Sequence, residues 1–289
     1  MTTLRVAPGR PAQVRQLDDA HRSHLDALVD ADPYVHAVLA ARLSATRTLD
    51  AGRLGGALLG VHDGANLHAA VFSGGNLLPI GGDDAAWEAL AGFVSERRRV
   101  CTSIIGRADA VGVMWRVLEP VWGPARAIRR RQPLLSVGKD RPTVAGDARV
   151  RAIRPGEIEQ YLPAAVAMFT EELQASPFAS VSAAAYRRRA AGLIGARRVF
   201  GLLDADGDVI FKADIGAVSA YTCQLQGVWV RPDLRARGIG TAALSSVIDH
   251  GLTLAPTVSL YVNDYNAAAR HVYQRLGMRP VATLSTVLF

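Results

Sequence analysis

A segment near the end of the chain combines residue types that could bind an anion. It runs Val228, Trp229, Val230, Arg231, Pro232, Asp233, Leu234, Arg235, Ala236, Arg237, Gly238, Ile239, Gly240, Thr241. A β-branched run ends at the proline, an Arg-x-x-Gly-x-Gly turn follows, and an amphipathic helix pattern begins at once. Glycines at a helix entrance leave backbone N–H groups unobstructed, and these groups bind anions with the help of the helix dipole. The segment therefore predicts a pyrophosphate site at this turn.

Two familiar phosphate-binding motifs fit this turn poorly. A dinucleotide fingerprint has Gly-x-Gly-x-x-Gly after the first strand of its domain, whereas this turn lies late and begins with Arg235. A Walker loop needs a lysine, and the only lysines in the sequence are Lys139 and Lys212. Neither motif explains the turn.

A second segment, residues 260–278, supports a third interpretation. An apolar strand pattern is followed by Asn266, Ala269, Tyr273, Gly277 and Met278, in the spacing Asn-x-x-Ala-x-x-x-Tyr and then Gly beside a large apolar residue. The two segments together resemble the two signatures of the GCN5-related N-acetyltransferases (the GNAT superfamily), in the same order. The resemblance covers residues 149–289, about half of the chain, and implies a mixed α/β GNAT fold there.

The resemblance implies that the second half binds acetyl-CoA as a co-substrate. The implied binding residues are Val228, Trp229, Val230, Arg235, Ala236, Arg237, Gly238, Ile239, Gly240, Thr241, Asn266, Ala269 and Arg270. In this family the turn cradles the pyrophosphate, and the preceding strand splays from its neighbour and offers amides to the pantetheine arm and the thioester carbonyl. Asn266 caps a helix, bonds to pantetheine, or does both.

Tyr273 is the implied catalytic residue, because the matching tyrosine in the family protonates the departing thiolate of coenzyme A. A phenol with a pKa of about 10 stays protonated at neutral pH and can donate that proton. The alternative is that Tyr273 is only a core aromatic.

The sequence departs from the family pattern at the general base. Many relatives have a glutamate on the strand before the turn, but here that strand carries Gln224 and Gln226. The remaining candidates are Asp214, Glu171, Glu172, the carboxylate of Phe289, and a water. The sequence therefore favours an N-acetyltransferase acting on a primary amine of unknown identity, with a non-catalytic coenzyme A-binding regulatory module as the alternative.

Length and pattern predict two domains. The chain has 289 residues, and domains typically hold about 100 to 200 residues. Residues 138–148 are polar and aperiodic and predict a linker, which leaves domains at residues 1–138 and 149–289. Predicted helices lie at 18–30, 33–47, 83–98, 108–122, 155–174, 182–198, 238–254 and 266–276. Predicted strands lie at 54–61, 66–72, 100–105, 125–137, 149–153, 199–203, 209–213, 224–230, 257–262 and 281–288.

The two halves repeat the same order of elements, so the first half is predicted to be a degenerate copy of the acetyltransferase fold. At the place that matches the glycine turn it has Gly81, Gly82, Asp83 and Asp84. Two aspartates repel a pyrophosphate, and the sequence therefore predicts no coenzyme A site in this half.

Composition excludes several other classes. Two cysteines, Cys101 and Cys223, cannot form a disulfide framework, and the longest apolar runs are too short for a membrane span. With no apolar N-terminal leader pattern, we expect a cytoplasmic location. The net charge is +7, and nearly all of the positive charge is arginine. The densest basic runs, at residues 97–99, 129–131 and 187–189, have no interleaved aromatics, which favours solvated faces over nucleic-acid binding. His21 and His24 share a helix face without further ligands, so no metal is expected. The oligomeric state stays unassigned.

Overall fold

The computed structural model describes residues 13–64, 66–173, 176–179 and 182–289. The chain divides into two compact units, residues 1–134 with 281–289 and residues 135–280. Each combines a β-sheet with α-helices, which confirms the predicted mixed α/β fold class. Among the described helices, none has both the length and the apolar character needed to cross a bilayer.

The first unit is built around an antiparallel meander that ends in a parallel pair. Its helices are α1 (Arg22–Ala31), α2 (Ala37–Thr46), α3 (Ala51–Leu54), α4 (Asp84–Ser95) and α5 (Ala108–Trp122). Its strands are β1 (Val14–Gln16), β2 (Gly56–Asp63), β3 (Asn66–Gly74), β4 (Leu77–Gly81) and β5 (Ser103–Arg107), and β6 (Ala127–Val137) crosses the unit boundary. The strand order is β1-β2-β3-β4-β5, with β4 and β5 parallel.

The last strand of the chain, β12 (Arg279–Leu288), completes the first unit. Leu284 to Leu288 pair antiparallel with β5, and Val287 is 1% exposed in a core that contains Trp115 and Leu118. The predicted domain boundary at residues 138–149 lies close to the observed one. The terminal strand β12 is placed differently. The prediction assigns it to the domain of residues 149–289, but its apolar side chains are buried in the first unit.

The second unit repeats this order of elements. It contains β7 (Arg151–Ala152), α6 (Ile158–Leu173), α7 (Ala183–Gly195), β8 (Val199–Leu203), β9 (Val209–Val218), β10 (Thr222–Val230), α8 (Ile239–Leu254), β11 (Thr257–Tyr261) and α9 (Ala267–Arg275). The strands lie in the order β7-β8-β9-β10-β11, with β10 and β11 parallel.

Alternation along β9 gives this sheet two different faces. Phe211, Ala213 and Ile215 pack with the side chains of α8 and α9, whereas Tyr161 of α6 meets Asp214 on the other face. Successive side chains of a strand point to opposite faces, so helices cover both sides of the sheet.

The predicted helices and strands are present, with shifted ends. Strand β9 runs five residues past the predicted end at residue 213. The prediction stopped there because Asp214 is charged, but in the fold this carboxylate is buried against Lys212. The elements β1, α3 and β4 were not predicted. Strand β1 and helix α3 are too short to establish a periodic pattern, and β4 contains Pro79, a residue that strands disfavour.

Candidate active site

The glycine turn between β10 and α8 has the backbone shape that the sequence predicts. Ala236 and Gly238 both have left-handed φ angles, of 59° and 80°. Gly238 sits at the N-cap of α8, where no side chain caps the helix. The amides of Thr241 and Ala242 both donate to the carbonyl of Gly238 at 3.1 Å. The amides immediately before them are therefore the free N–H groups of a helix N-terminus, available to an anion.

The two glycines of the turn serve different purposes. A Cβ atom at Gly238 would have nothing within 4 Å, so the space in front of the helix is open. A Cβ atom at Gly240 would lie 3.0 Å from Val230 Cγ2, which is tighter than side chains normally tolerate. Gly240 thus permits the close approach of α8 to β10, and Gly238 leaves the space in front of the helix open.

The matching helix of the first unit, α4, is closed by its own side chain. Asp83 is its N-cap, and its Oδ1 accepts the amide of Ala86 at 3.0 Å. Its Oδ2 lies 3.2 Å from His68 Nε2. A carboxylate therefore occupies the position that an anionic ligand would need.

Arg235 and Arg237 flank the open turn in different ways. The Arg235 guanidinium donates to the Val230 carbonyl at 2.9 Å and to Glu171 Oε2 at 2.6 Å. The other oxygen of Glu171 accepts the indole N–H of Trp229 at 3.0 Å. Arg237 is exposed beside Gly238. The ion pair with Glu171 therefore offsets the positive charge that Arg235 brings to the turn.

Strands β10 and β11 separate towards the turn. Their parallel register runs only from Thr222 and Thr257 to Gln224 and Ser259, although β10 continues to Val230. On its other edge β10 stays paired with β9 as far as Val230. The edge of β10 over residues 225–230 therefore lacks a register with β11, which leaves room for an extended ligand at its backbone.

Tyr273 lies in α9 at the apolar core of the second unit. It is 6% exposed, and burial together with the charge of Glu172 raises the pKa of its hydroxyl above the usual value. A hydroxyl in this setting remains a proton donor at neutral and moderately alkaline pH. Packing in the core and proton donation are compatible in this side chain.

The N-terminus of α9 contains the remaining predicted ligand-binding residues. Asn266 is the N-cap, and its Oδ1 accepts the amide of Ala269 at 3.1 Å. The exposed Arg270 donates to the carbonyl of Asp264 at 2.9 Å. Asn266 therefore caps the helix through its side-chain oxygen. The NH₂ group of the same side chain is a further hydrogen-bond donor that a ligand could use.

Asp214 does not fit the role of general base. It is 5% exposed, lies 2.8 Å from Lys212 Nζ, and accepts the Tyr161 hydroxyl at 3.2 Å. Burial raises the pKa of this carboxyl, and the adjacent Lys212 ammonium counteracts part of that effect. A carboxylate enclosed by two donors cannot reach an amine. Phe289, another candidate, belongs to the first unit.

Glu172 is exposed on α6, as is the neighbouring Glu171. Glu171 is occupied by Trp229 and Arg235. Of the carboxylates considered as the base, Glu172 is the one whose charge contributes to the raised pKa of the Tyr273 hydroxyl.

Sequence reasoning missed the buried cluster of Lys212, Asp214 and Tyr161. Its one signal was a lysine in an apolar strand of a chain with only two lysines. A surface depression lined by Lys139 and residues 252–256 lies at the C-terminal end of α8, the opposite end of that helix from Gly238. Among the described residues, no cluster of His, Cys, Asp or Glu has the arrangement of a metal site.

Two family models match the chain. Residues 150–278 match the acetyltransferase (GNAT) family, and residues 56–161 match a domain of unknown function, DUF4081. The GNAT match contains the glycine turn, Asn266 and Tyr273. A search of curated proteins finds no match to this chain.

Solved structures of similar fold cover nearly the whole chain. A Drosophila protein is 14% identical with a TM-score of 0.66, covering 96% of this chain and 99% of that one. An acetyltransferase of the GNAT family from Colwellia psychrerythraea is 13% identical with a TM-score of 0.55, at 96% and 99% coverage. A GCN5-related N-acetyltransferase from Sphaerobacter thermophilus is 17% identical with a TM-score of 0.54, at 97% and 96% coverage. At these identities the likeness concerns the fold alone.

Proposed function

We propose that this chain, whose residues 150–278 form a domain of the acetyltransferase (GNAT) family, transfers an acetyl group from acetyl-CoA to a primary amine. The observation that carries the proposal is the uncapped, glycine-lined N-terminus of α8 beside the separated strands β10 and β11. The turn can receive a pyrophosphate, and the free edge of β10 can receive the pantetheine arm. The open space at Gly238 fits such a ligand.

In the proposed reaction, each proton that moves has a named donor and a named acceptor. The amine nitrogen forms a bond to the thioester carbonyl carbon, and the carbon–sulfur bond breaks. The departing thiolate takes the proton of the Tyr273 hydroxyl, and the amine nitrogen releases its proton to Glu172, directly or through a water. A backbone amide of residues 228–230 stabilises the charge on the carbonyl oxygen, and one such donor is worth about 10² to 10³ in kcat.

The first unit has a supporting role in this proposal. Asp83 fills the N-terminus of α4, so the charge and the space that a pyrophosphate needs are both missing there. Acetyl-CoA is then bound once per chain, in residues 135–280. The acceptor stays undefined beyond its amine.

A non-catalytic coenzyme A sensor is the second candidate. The observation that favours it is that strand β10 carries Gln224 and Gln226 where many relatives have a glutamate, while Asp214 is enclosed by Lys212. A sensor would bind acetyl-CoA through the same turn without releasing thiol.

The two candidates are separated by measuring thiol release. Acetyl-CoA is incubated with the protein and a panel of aliphatic amines, peptide N-termini and aminoglycosides, and the acetylated product is identified by mass spectrometry. Acceptor-dependent release supports transfer. Tight acetyl-CoA binding without release across the panel, above a control without acceptor, supports the sensor.

A further inference from the structure

A buried ion pair lies directly behind strand β10. Lys212 is 0% exposed, and its ammonium donates to Asp214 Oδ2 and to the carbonyl of Gly227, both at 2.8 Å. The Tyr161 hydroxyl donates to the same carboxylate, and the ring of Tyr161 lies 5.5 Å from Lys212 Nζ. Burying such a pair is seldom more stabilising than apolar packing of the same volume. Stability alone therefore gives no reason for this cluster.

The carbonyl held by Lys212 belongs to a β-bulge. In the register of β10 with β9, Gln226 lies opposite Asp214 and Trp229 lies opposite Lys212. Gly227 and Val228 thus face a single residue, and Gly227 has a left-handed φ of 59°. The bulge turns this peptide out of the regular ladder. It lies in the part of β10 that is not in register with β11.

Peptide geometry couples this carbonyl to the next amide. The Gly227 carbonyl and the Val228 N–H belong to one planar unit, and in a trans peptide they point in opposite directions. The ammonium of Lys212 fixes the carbonyl on the α6 face of the sheet. The direction of the Val228 N–H, away from Lys212, is fixed with it.

We infer that Lys212, paired with Asp214, is a positioning residue that aims the Val228 amide at the thioester carbonyl of the acyl donor. This inference rests on the proposed function, since it names how the site holds its donor. Lys212 does not touch the substrate. Its contribution is the orientation of one peptide, which matters because an oxyanion donor acts only when it is aimed beforehand.

The test removes both charges at once with the double variant Lys212→Met and Asp214→Asn, which leaves no uncompensated buried charge. Affinities for acetyl-CoA and for coenzyme A are measured by calorimetry, and kcat is measured by thiol release. We expect coenzyme A affinity within about threefold of wild type, because the turn at Gly238 is untouched, and a fall in kcat of about 10- to 100-fold. The wild type should bind acetyl-CoA more tightly than coenzyme A, because the aimed amide bonds to the thioester carbonyl, and the double variant should lose this preference.

Tyr161→Phe is the matched control. It removes one hydroxyl from the same cluster but keeps the bond from Lys212 to Gly227. We expect kcat within about threefold of wild type. A loss in this control as large as in the double variant overturns the inference, because the cluster would then act through general packing.

Gly227→Ala tests the same contact from the strand. The added Cβ would lie 2.8 Å from Lys212 Nζ and 3.1 Å from Asp214 Oδ2, so it displaces the ammonium. We expect the same fall in kcat and the same loss of the acetyl-CoA preference. If the double variant does not fold, the result for Gly227→Ala decides the test. A folded variant of either kind that keeps wild-type kcat and acetyl-CoA preference overturns the inference.

The binding comparison separates this inference from the proposed function. If the wild type binds acetyl-CoA but releases no thiol, transfer fails as the function, and the affinity ratio still reports on Lys212. If the wild type binds neither ligand, both are overturned.

Discussion

Single residues of the second unit make contacts that define how each can act. Tyr273 is enclosed by the core, and its hydroxyl pKa is raised by burial and by Glu172. Arg235 is tied to Glu171, although the site would use it for a phosphate. The Tyr273 hydroxyl therefore stays protonated at neutral pH, and the Arg235 guanidinium is paired with a carboxylate.

Tyr273→Phe should lower kcat by about 10² to 10⁴, the range for loss of a general acid, with little change in acetyl-CoA affinity. The hydroxyl is needed when the carbon–sulfur bond breaks and not for binding. Because the pKa of Tyr273 is raised, the wild type should show no alkaline loss of kcat from this group below about pH 10. Steady-state kinetics across pH provides the measurement.

Tyr265→Phe is the control for this prediction. Tyr265 is 73% exposed in the loop before α9, so removal of its hydroxyl should leave kcat unchanged. If Tyr273→Phe retains the wild-type kcat with a good acceptor, Tyr273 is a packing residue and the thiolate leaves unaided.

Glu171→Gln should tighten coenzyme A binding by a few fold. The substitution keeps an oxygen for the Trp229 indole but removes the charge that retains Arg235 and repels phosphate. The pair is about half exposed, so the stability change should stay within about 1 kcal/mol. Calorimetric titration measures the affinity, and thermal melting measures the stability.

Glu159→Gln provides the comparison on the same helix, since Glu159 pairs with the exposed Arg187 and not with the turn. It should leave coenzyme A affinity unchanged. Weaker binding in Glu171→Gln would mean that Glu171 holds Arg235 in the orientation that binds phosphate.

The matching helices of the two units, α8 and α4, differ at their N-termini. Helix α8 begins at Gly238 without a side-chain cap, and helix α4 begins at Asp83, whose carboxylate bonds to Ala86. An obvious probe of the turn, a bulky residue at Gly240, would act on the strand instead, because its Cβ meets Val230. Gly238 is the better position, since a side chain there enters open space.

Gly238→Asp should abolish most coenzyme A binding, whereas Gly238→Asn should retain more of it. Both side chains have the same shape and tolerate a left-handed φ better than other residues do. Only the aspartate reproduces the charge of Asp83 at a helix N-terminus. We expect the aspartate variant to bind at least about tenfold more weakly than the asparagine variant, which corresponds to about 1.4 kcal/mol.

The measurement is calorimetric titration of both variants with coenzyme A, after circular dichroism has shown equal helix content. Equal affinities in the two variants would place the phosphates away from the N-terminus of α8.

Strand β12 completes the sheet of the first unit, so substitutions in this strand test its contribution to the stability of that unit. Val287→Asp should destabilise that unit by about 3 kcal/mol or more, since a carboxylate would enter an apolar core. Val281→Asp on the same strand should cost no more than about 0.5 kcal/mol, because Val281 is 43% exposed.

Urea unfolding followed by tryptophan fluorescence suits this comparison. Trp87, Trp115 and Trp122 lie in the first unit and Trp229 lies in the second, so the signal reports mainly on the first. Equal midpoints for the two variants would show that β12 contributes little to the first unit.

The two units of the molecule share one order of elements, but their matching helices α4 and α8 have different N-termini. The first unit holds an aspartate where the second holds free amides, so the chain as a whole should bind a single coenzyme A. Both the negative charge of Asp83 and the space that its side chain fills lead to this expectation. A pyrophosphate beside Asp83 and Asp84 would lose on the order of a few kcal/mol, more than the 0.3 to roughly 1 kcal/mol that a helix end supplies.

Titration of the full chain with coenzyme A should therefore give one site. Gly238→Asp should lower the occupied fraction towards zero, and Asp83→Asn should leave the stoichiometry at one. Two equivalent sites per wild-type chain would show that the first unit binds the ligand as well.

The sequence by itself determined the features that depend on near neighbours in the chain. The turn at Gly238, the cap at Asn266, the aspartate at the start of α4 and the periodic helices follow from local backbone preferences and side-chain spacing. The order of elements followed from the same patterns. Each involves residues within a few positions of one another.

Only the tertiary structure decided which distant residues meet. Tyr161 and Asp214 are 53 positions apart, and Glu171 and Arg235 are 64 apart. Strand β12 could pair with either sheet as far as its own pattern shows. Such contacts arise from strand register and from helix placement on a sheet face, which are set by packing of the whole core and leave no periodic signal in the chain. For this reason the buried Lys212 and the partner of Arg235 became visible only in the fold.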